Sequence, residues 1–328
     1  MNNVNGLTNL GNTCFINTCI QILNYTKGWN DLLKIPKYID KDNTSIIIIE
    51  EWNKLIQVMS ENNSEISPNR FVYYIKEISK KNNKLLFADN SENDFTEFLT
   101  FIIETIHKIM SRKKKFKINN SYLDKYNCKI DIKCFDVMKK IYNEYSEIIK
   151  MFYGLTYSII YSKKNKKIHS IIPEPFLILN LPIPTNNSSL EECIENYISE
   201  EELTGENAWF NEKTNEKEDV IKKISFWSFP DILIISLKRF TNEEKTLIKF
   251  PLTNLNLDKY IDEKNSNFTY TYNLYAISNH FGNIHGGHYT ALIKINEKWM
   301  HFNDNFITEI SEKRIISKYA YCLFYVKI

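Results

Sequence analysis

A cysteine stands near the start of the chain, where a segment rich in glycine and asparagine leads into an apolar stretch. It is Cys14 in GLTNLGNTCFINTCIQIL, residues 6–23. If a helix begins here, the sulfur lies near the first free backbone N–H groups and the positive end of the helix dipole, which favours the thiolate over the thiol. The stretch has no acidic side chain to oppose that effect. The pattern predicts a nucleophile at Cys14, although a small buried cysteine after a capping turn explains it equally well.

A thiolate nucleophile needs a base, and three of the six histidines fall within NHFGNIHGGHYTAL, residues 279–292. Two glycines precede His288 and a strand pattern begins there, which presents its ring at the mouth of a loop. An isolated histidine is more often structural, but one short strand later KWMHFNDNF offers Asn303 and Asp304. A side-chain oxygen from either residue can orient the imidazole. The chain order cysteine, histidine, asparagine or aspartate is typical of papain-like proteases.

Acyl transfer also needs hydrogen-bond donors for the oxyanion. The side-chain amide of Asn9 and the backbone N–H of Cys14 both face the reacting carbonyl if the loop curls back across the helix start. Asn12 is an alternative donor, or simply a turn residue. Cys19 lies on the apolar stripe of the same stretch and is predicted to belong to the core.

Two amphipathic helices and a strand-rich second half must position these residues. Apolar residues recur at helical spacing from Ile16, with Asn12 or Thr13 to cap the start. Residues 91–110 predict a second helix, with Ser91 and Asp94 as a capping-box-like pair. Short apolar runs between turns then predict strands at 232–237, 272–278, 288–295, 298–302 and 321–326. Helices followed by strands indicate an α+β fold.

Composition narrows the class of protein. The 328 residues, 43% of them hydrophobic, predict one sizeable domain or two packed subdomains. A net charge of +2 gives no whole-chain case for a nucleic-acid or membrane partner. The longest aliphatic run is too short to span a bilayer, and the six sparse cysteines indicate free thiols in a reducing compartment. We therefore expect a monomeric intracellular protein, cytoplasmic or nuclear.

Several motifs together resemble one family. The segment around Cys14 resembles the cysteine box of the ubiquitin-specific proteases, and residues 275–310 resemble their histidine box. NDFTEFLTFIIE, PEPFLILNLPIP and FPDILIISLKRF lie between them in the family's order, so the resemblance covers essentially the whole chain. It implies a papain-like cysteine protease fold within one catalytic domain, 1–328. The implied subdomains are a helical thumb (about 1–150), β-rich fingers (about 151–228) and a palm (about 229–328).

The resemblance also assigns catalytic roles, position by position. It implies that Cys14 is the nucleophile, that His288 is the base, and that Asn303 orients the imidazole. Asn9 is implied as the side-chain oxyanion donor, and Asp304 as an assisting residue. The implied activity is thiol-dependent hydrolysis of the bond after the C-terminal glycine of ubiquitin, with ubiquitin and ubiquitinated proteins as partners. A catalytically inactive ubiquitin-binding homologue and a protease for a ubiquitin-like modifier are the alternatives.

Substrate-binding positions follow from the same resemblance. Asp94 matches the family's aspartate that contacts the ubiquitin tail, and it is also predicted as a helix cap. His280 to His285 match a loop that closes over the tail. Gly286 and Gly287 would form a narrow access suited to a tail that ends in two glycines, since bulkier residues there would block its approach.

The chain departs from the family's pattern at several positions. Asn303 stands where many members have aspartate, and Glu92 and Asn93 stand where glutamines are usual. Family members often bind zinc through two CxxC pairs in the fingers, but the corresponding segments here read YSKK (161–164) and WFNE (209–212). A tetrahedral structural site needs four nitrogen or sulfur ligands, which these segments lack. We therefore predict no zinc and no other cofactor.

Overall fold

The computed structural model describes residues 4–34, 44–61, 65–114, 129–184, 188–212, 214–239, 246–261, 269–283 and 286–328. Most helices lie in the first half of the chain. They are α1 (Cys14–Asn24), α2 (Trp29–Leu32), α3 (Ile47–Glu61), α4 (Asn69–Lys81), α5 (Phe95–Met110), α6 (Lys129–Ile141), α7 (Glu147–Phe152) and α8 (Leu190–Tyr197). No helix in these ranges is long and apolar enough to cross a membrane.

The strands follow the helical part, apart from α8. They are β1 (Gly154–Ser162), β2 (Ile168–Phe176), β3 (Ile178–Leu181), β4 (Glu201–Leu203), β5 (Trp209–Asn211), β6 (Glu216–Glu218), β7 (Val220–Ser228), β8 (Ile232–Leu237), β9 (Leu255–Asn256), β10 (Thr271–Asn283), β11 (Gly286–Ile295), β12 (Lys298–Asn303), β13 (Phe306–Ile310) and β14 (Ala320–Lys327). All five strand runs expected after residue 229 are confirmed.

Two main sheets form from these strands. The larger sheet has the order β13-β12-β11-β10-β14-β8-β3, with β9 paired to β10, and the smaller has the order β2-β1-β7-β4. β5 and β6 form a separate ribbon. In the larger sheet only β3 and β8 run parallel among the described pairs. The antiparallel pairing therefore places the end of β10, the start of β11 and the end of β12 at the same end of the sheet.

Each face of the larger sheet contributes to a different hydrophobic core. Because side chains alternate along a strand, Ala276 joins the core that contains α1 and α5, while Ile277 joins the core that contains α8. Ile293 and Leu292 divide in the same way. Five described cysteines are free and buried, in agreement with the expected free thiols.

Helix α1 is sandwiched between α5 and strands β10 to β12. All its residues from Cys14 to Leu23 are buried, which fits a helix that is packed on every side. Burial on every side means that its polar side chains, including Asn17 and Gln21, need hydrogen-bond partners within the protein. The nucleophile candidate therefore sits at the start of a helix whose first ten residues are all buried.

The helix starts differ in detail from the sequence expectation. Asp94 itself caps α5, since its side chain accepts the backbone N–H groups of Thr96 and Glu97, so the expected capping pair with Ser91 was wrong. Thr13 holds the N-cap position of α1 without a side-chain capping bond. Its hydroxyl instead accepts the N–H of Leu10, which shapes the preceding loop.

Candidate active site

Cys14 is the first residue of α1 and is presented by a tightly turned loop. Gly11 and Asn12 have φ of 88° and 55°, two successive left-handed residues that reverse the chain just before the helix. Asn9 Oδ1 stabilises this turn by accepting the backbone N–H groups of Gly11 (3.0 Å) and Thr13 (3.2 Å). The first turn of α1 has no acidic residue, so nothing on that turn offsets the positive end of its dipole.

His288 on β11 connects the nucleophile candidate to the end of β12. Its Nε2 donates to Asn303 Oδ1 at 2.6 Å, which leaves Nδ1 for the hydrogen bond with the Cys14 side chain. The Cys14 hydrogen bond raises the pKa of His288 to about 9, helped by Asn303 and by the charge of Asp304, while partial burial opposes the rise. A raised pKa keeps the ring protonated at neutral pH, so it can donate a proton to a leaving group.

Asp304 lies in the turn after β12 and serves several partners. Its Oδ2 accepts the Asn9 amide at 2.9 Å and lies 3.9 Å from His288 Nε2. Its Oδ1 accepts the Asn17 amide at 2.8 Å. Asn303 is therefore the direct partner of the imidazole, whereas Asp304 approaches it from a longer distance. One of the two amide hydrogens of Asn9 is committed to Asp304.

A cavity of about 430 Å³ extends from Cys14 between the start of α5 and the ends of β10 and β11. Its lining includes three carboxylates, those of Glu92, Asp94 and Glu97, and no lysine or arginine among the described residues. Such a lining attracts cationic groups of a ligand. The cavity thus offers an acidic channel that ends at the nucleophile candidate.

Asp94 accepts hydrogen bonds from four residues of the protein itself, with both the N–H and the hydroxyl of Thr96 among the donors. Its Oδ1 caps α5 through the N–H groups of Thr96 (2.7 Å) and Glu97 (3.1 Å). Its Oδ2 accepts the hydroxyls of Tyr289 (3.1 Å) and Tyr321 (2.7 Å) from the sheet. Asp94 therefore joins α5 to β14 and to β11, the strand that carries His288. Its expected contact with a substrate tail stays a prediction.

The wall opposite α5 is built from glycines and a buried histidine. His280 was expected on a loop, but it lies within β10. Its ring is held there by packing against Tyr289, with centroids 4.6 Å apart. A Cβ on Gly287 would lie 2.4 Å from His280 Nε2, so only glycine fits there. His280, Gly286 and Gly287 all line the cavity. His285 lies outside the described residues.

The sequence was compared with known families and proteins. The sequence model of the family described as Ubiquitin carboxyl-terminal hydrolase matches residues 5–325. The chain belongs to this family. It is 32% identical to Ubiquitin carboxyl-terminal hydrolase 2 of Homo sapiens over 339 residues, covering 98% of this chain and 54% of the relative. Identity to Ubiquitin carboxyl-terminal hydrolase Usp2 of Drosophila melanogaster is 31%, covering 98% and 34%. The chain thus spans about half the length of the human relative and about a third of the length of the fly relative.

Solved structures give the fold. A SAGA DUB module containing Ubp8 and bound to monoubiquitin matches with a TM-score of 0.74 at 23% identity, over 99% of this chain and 69% of the other. The same module bound to ubiquitin aldehyde gives a TM-score of 0.73 at 24% identity, over 99% and 70%. These matches confirm the expected α+β, papain-like fold of the ubiquitin-specific proteases. The boundaries of thumb, fingers and palm stay predictions.

A hydrogen-bonded cluster lies at the segments 161–164 and 209–212, which the family resemblance implies as the counterparts of the zinc-binding pairs. Glu218 bonds Ser162, His169 and Asn211, and these bonds, that of Ser162 first, lower its pKa. His169 Nε2 lies 3.1 Å from Glu218 Oε1, and its ring lies against Trp209 with centroids 5.1 Å apart. Within the described ranges, no group of three or more His, Cys, Asp or Glu side chains is arranged to hold a metal ion. The absence of zinc stays a prediction.

Two contacts at the cleft were missed by sequence reasoning. Glu92 Oε2 accepts the N–H of Gly287 at 3.3 Å, which joins the segment before α5 to the opposite wall of the cavity. Asn17 reaches Asp304 from one turn after Cys14. For the contact between Glu92 and Gly287, the only sequence signal was that Glu92 stands where the family usually has glutamine. The second contact had no sequence signal, since Asn17 is one of several polar residues on α1.

Proposed function

We propose that this chain is a thiol-dependent deubiquitinase that hydrolyses the isopeptide or peptide bond after the C-terminal glycine of ubiquitin. The observation that carries this proposal is the bridging position of His288, which hydrogen-bonds Cys14 on one side and Asn303 on the other. In this position, His288 can both activate the Cys14 thiol and donate a proton to a leaving group. Cys14 lies at the end of an acidic cavity. A nucleophile, a base and an orienting amide are the parts that acyl transfer requires.

The proposed reaction begins with attack of the Cys14 sulfur on the carbonyl carbon of the terminal glycine. The backbone N–H of Cys14 and the second amide hydrogen of Asn9 stabilise the negative charge that develops on the carbonyl oxygen. Protonated His288 donates its proton to the leaving amine, and the C–N bond breaks to give a thioester. His288 then takes a proton from water, which hydrolyses the thioester and releases the Cys14 sulfur.

The cavity supports ubiquitin as the substrate. Gly286, Gly287 and Cys14 all line the cavity, and the lack of side chains on the two glycines suits close approach of a tail that itself ends in two glycines. The carboxylates of Asp94 and Glu97 favour cationic side chains further back along the tail. Both structural neighbours are described as bound to ubiquitin or its aldehyde. Family membership supports the same substrate class.

The remaining assignments are extensions of this proposal. We place the thumb at about 1–150, the fingers at about 151–228 and the palm at about 229–328, in a chain that acts as a monomer. The helical part ends with α7 and the smaller sheet begins with β1, which supports the first boundary. Action on ubiquitinated proteins in the cytoplasm or nucleus accords with the family and with the free thiols.

A fluorogenic C-terminal amide of ubiquitin tests the function. The wild-type chain is expected to release the fluorophore, and Cys14→Ala is expected to stop release. Cys19→Ala is the matched control, because Cys19 is buried on the same helix and away from the cavity. Turnover that persists in Cys14→Ala would refute the assignment. A wild-type chain that binds ubiquitin without turnover would be a capture module, and preferential labelling by a probe built on a ubiquitin-like modifier would change the substrate.

A further inference from the structure

Helix α1 carries two buried amide side chains that the mechanism above does not use. Asn17 and Gln21, each 2% exposed, lie one and two turns after Cys14. Gln21 Nε2 donates to the backbone oxygen of Asn5 at 2.8 Å. Asn17 Nδ2 has a different set of acceptors, described next. The two residues are similar in burial and chemistry, so a difference in their effects is informative.

Three acceptors surround the Asn17 amide nitrogen. They are Asp304 Oδ1 at 2.8 Å, the carbonyl oxygen of Thr8 at 3.2 Å and that of Leu7 at 3.3 Å. Acceptors on every side fix which end of the amide carries the nitrogen, since an oxygen in that place would meet three other oxygens. Asn17 Oδ1 is buried and has no hydrogen-bond partner among the described residues. Asn17 therefore acts here as a donor.

Asp304 is the point where these contacts converge on the proposed catalytic groups. Its Oδ1 is taken by Asn17, and its Oδ2 accepts Asn9 at 2.9 Å and lies 3.9 Å from His288 Nε2. Its main-chain oxygen accepts the N–H of Leu7 at 2.9 Å. The bond to Asn17 thus fixes the rotation of a carboxylate whose other oxygen faces both the oxyanion donor and the base.

The loop that carries Asn9 is pressed against the turn that carries Asp304. A Cβ on Gly6 would lie 2.4 Å from the carbonyl oxygen of Asn305, so only glycine permits this approach. The same loop supplies the carbonyl groups of Leu7 and Thr8 to Asn17. One buried amide therefore joins the loop, the helix of the nucleophile and the turn after β12.

We propose that Asn17 is a positioning residue for the proposed hydrolysis, holding Asp304 and the Asn9 loop in register with Cys14 and His288. This inference rests on the proposed function. Asn17 does not line the acidic cavity, so its role is separate from substrate binding. Its loss should lower kcat and leave KM nearly unchanged. Displacements of about 1 Å in such a site can lower the rate about 10²-fold.

The test compares Asn17→Ala with Gln21→Ala in the full chain, using the fluorogenic ubiquitin amide. Asn17→Ala is expected to lower kcat about 10²-fold with KM within about threefold of wild type. Gln21→Ala is expected to keep the wild-type kcat, whatever its effect on thermal stability. A loss of stability in Asn17→Ala with unchanged kcat would show a purely structural role and overturn the proposal. Equal losses of kcat in both variants would also overturn it.

A double-mutant cycle with Asp304→Ala tests whether Asn17 acts through Asp304. Coupled residues are non-additive, so Asn17→Ala should cost less than about threefold in kcat once Asp304 is absent. The basic limb of the pH profile should also move to lower pH in Asn17→Ala, because the Asp304 charge is no longer held beside His288. Full additivity with an unshifted basic limb would contradict the proposal.

Two further measurements keep the test decisive. If Asn17→Ala does not fold, Asn17→Ser is measured by the same readouts. Serine has one donor hydrogen in place of the two amide hydrogens of asparagine, so it cannot replace all of the Asn17 hydrogen bonds. Alkylation of Cys14 by iodoacetamide needs no ubiquitin, and its rate at pH 7 should fall several-fold in Asn17→Ala but not in Gln21→Ala. That pattern would support the positioning role even if ubiquitin amide is not cleaved. Equal alkylation rates in all three proteins would overturn it.

Discussion

Two histidines in this molecule each hydrogen-bond a side-chain oxygen through Nε2, but only one of them is next to a cysteine that lines a cavity. His288 lies between Asn303 and Cys14, and Cys14 in turn lines the acidic cavity; the His288 side chain is 38% exposed. His169 pairs with Glu218 and packs against Trp209 between the β1–β2 and β5–β6 hairpins, and its side chain is 12% exposed. Both rings have a hydrogen-bond acceptor on another strand, Asn303 on β12 for His288 and Glu218 on β6 for His169. Only His288 also has a thiol at a helix start.

The difference shows that a histidine with an orienting acceptor is not by itself a catalytic base. Two features distinguish the cleft. The second ring nitrogen of His288 is hydrogen-bonded to the nucleophile candidate Cys14, and Cys14 faces an open cavity. Around His169, the partners of Glu218 are a hydroxyl, an amide and the imidazole, and these bonds join β6 to β1, β2 and β5. The cleft groups are instead arranged around a site that a substrate can enter.

The largest expected effect separates the two histidines directly. His288→Ala should lower kcat/KM for the ubiquitin amide on the order of 10⁴-fold or more, because both the base and the general acid are lost. Its melting temperature should change little. His169→Ala should do the reverse, with kcat near wild type and a melting temperature that falls by a few degrees. Comparable losses of activity in both variants would remove the distinction between the two regions.

The next effect concerns the group that orients each ring. Asn303→Ala should lower kcat about 10²-fold, since the imidazole loses the acceptor that fixes its orientation. The pKa of His288 should also fall from about 9, because the Asn303 hydrogen bond helps to raise it. Rate profiles from pH 6 to 10 measure both changes. Asp304→Ala is the comparison, and if it alone lowers activity, Asp304 is the orienting residue.

The chain order of the catalytic candidates and the strands that carry them could be predicted from the sequence. Apolar runs and turns locate strands reliably where alternation is strong, as in β11 and β12. The start of α5 was misplaced at Ser91, because two polar residues three apart imitate a capping box, whereas Asp94 reaches the free N–H groups itself. The contact between Asn17 and Asp304 was not predictable, since tertiary packing alone brings together residues 287 apart.

The pH dependence of the wild-type chain gives a more moderate effect. The Cys14 hydrogen bond raises the pKa of His288 to about 9, so the protonated ring that the leaving amine requires is present at neutral pH and is lost as the pH rises through about 9. Turnover should therefore decline by half near pH 9 on the basic side. A decline centred near the ordinary histidine pKa of about 6.5 would show that the contacts with Cys14 and Asn303 do not persist in solution.

A smaller effect is expected from a change in the fingers. Glu218→Gln removes the charge that Ser162, His169 and Asn211 share, while keeping a side chain of the same size. Amide hydrogen exchange should accelerate in β5, β6 and the β1–β2 turn, and kcat should stay within about twofold of wild type. Glu216→Gln on the same strand is the control, since its side chain is exposed. Unchanged exchange in Glu218→Gln would show that this cluster does not hold the fingers together.

The smallest expected effect is that of a metal chelator. Cysteine pairs are absent from the segments 161–164 and 209–212, and Glu218 hydrogen-bonds Ser162 in the first segment and Asn211 in the second. Treatment with EDTA should therefore leave the melting temperature and the turnover of ubiquitin amide unchanged. A zinc-dependent fold would lose stability on chelation because the binding free energy of the metal contributes to folding. A marked fall in melting temperature would mean that hydrogen bonds and ring packing around His169 are insufficient, and that ligands outside the described residues hold zinc.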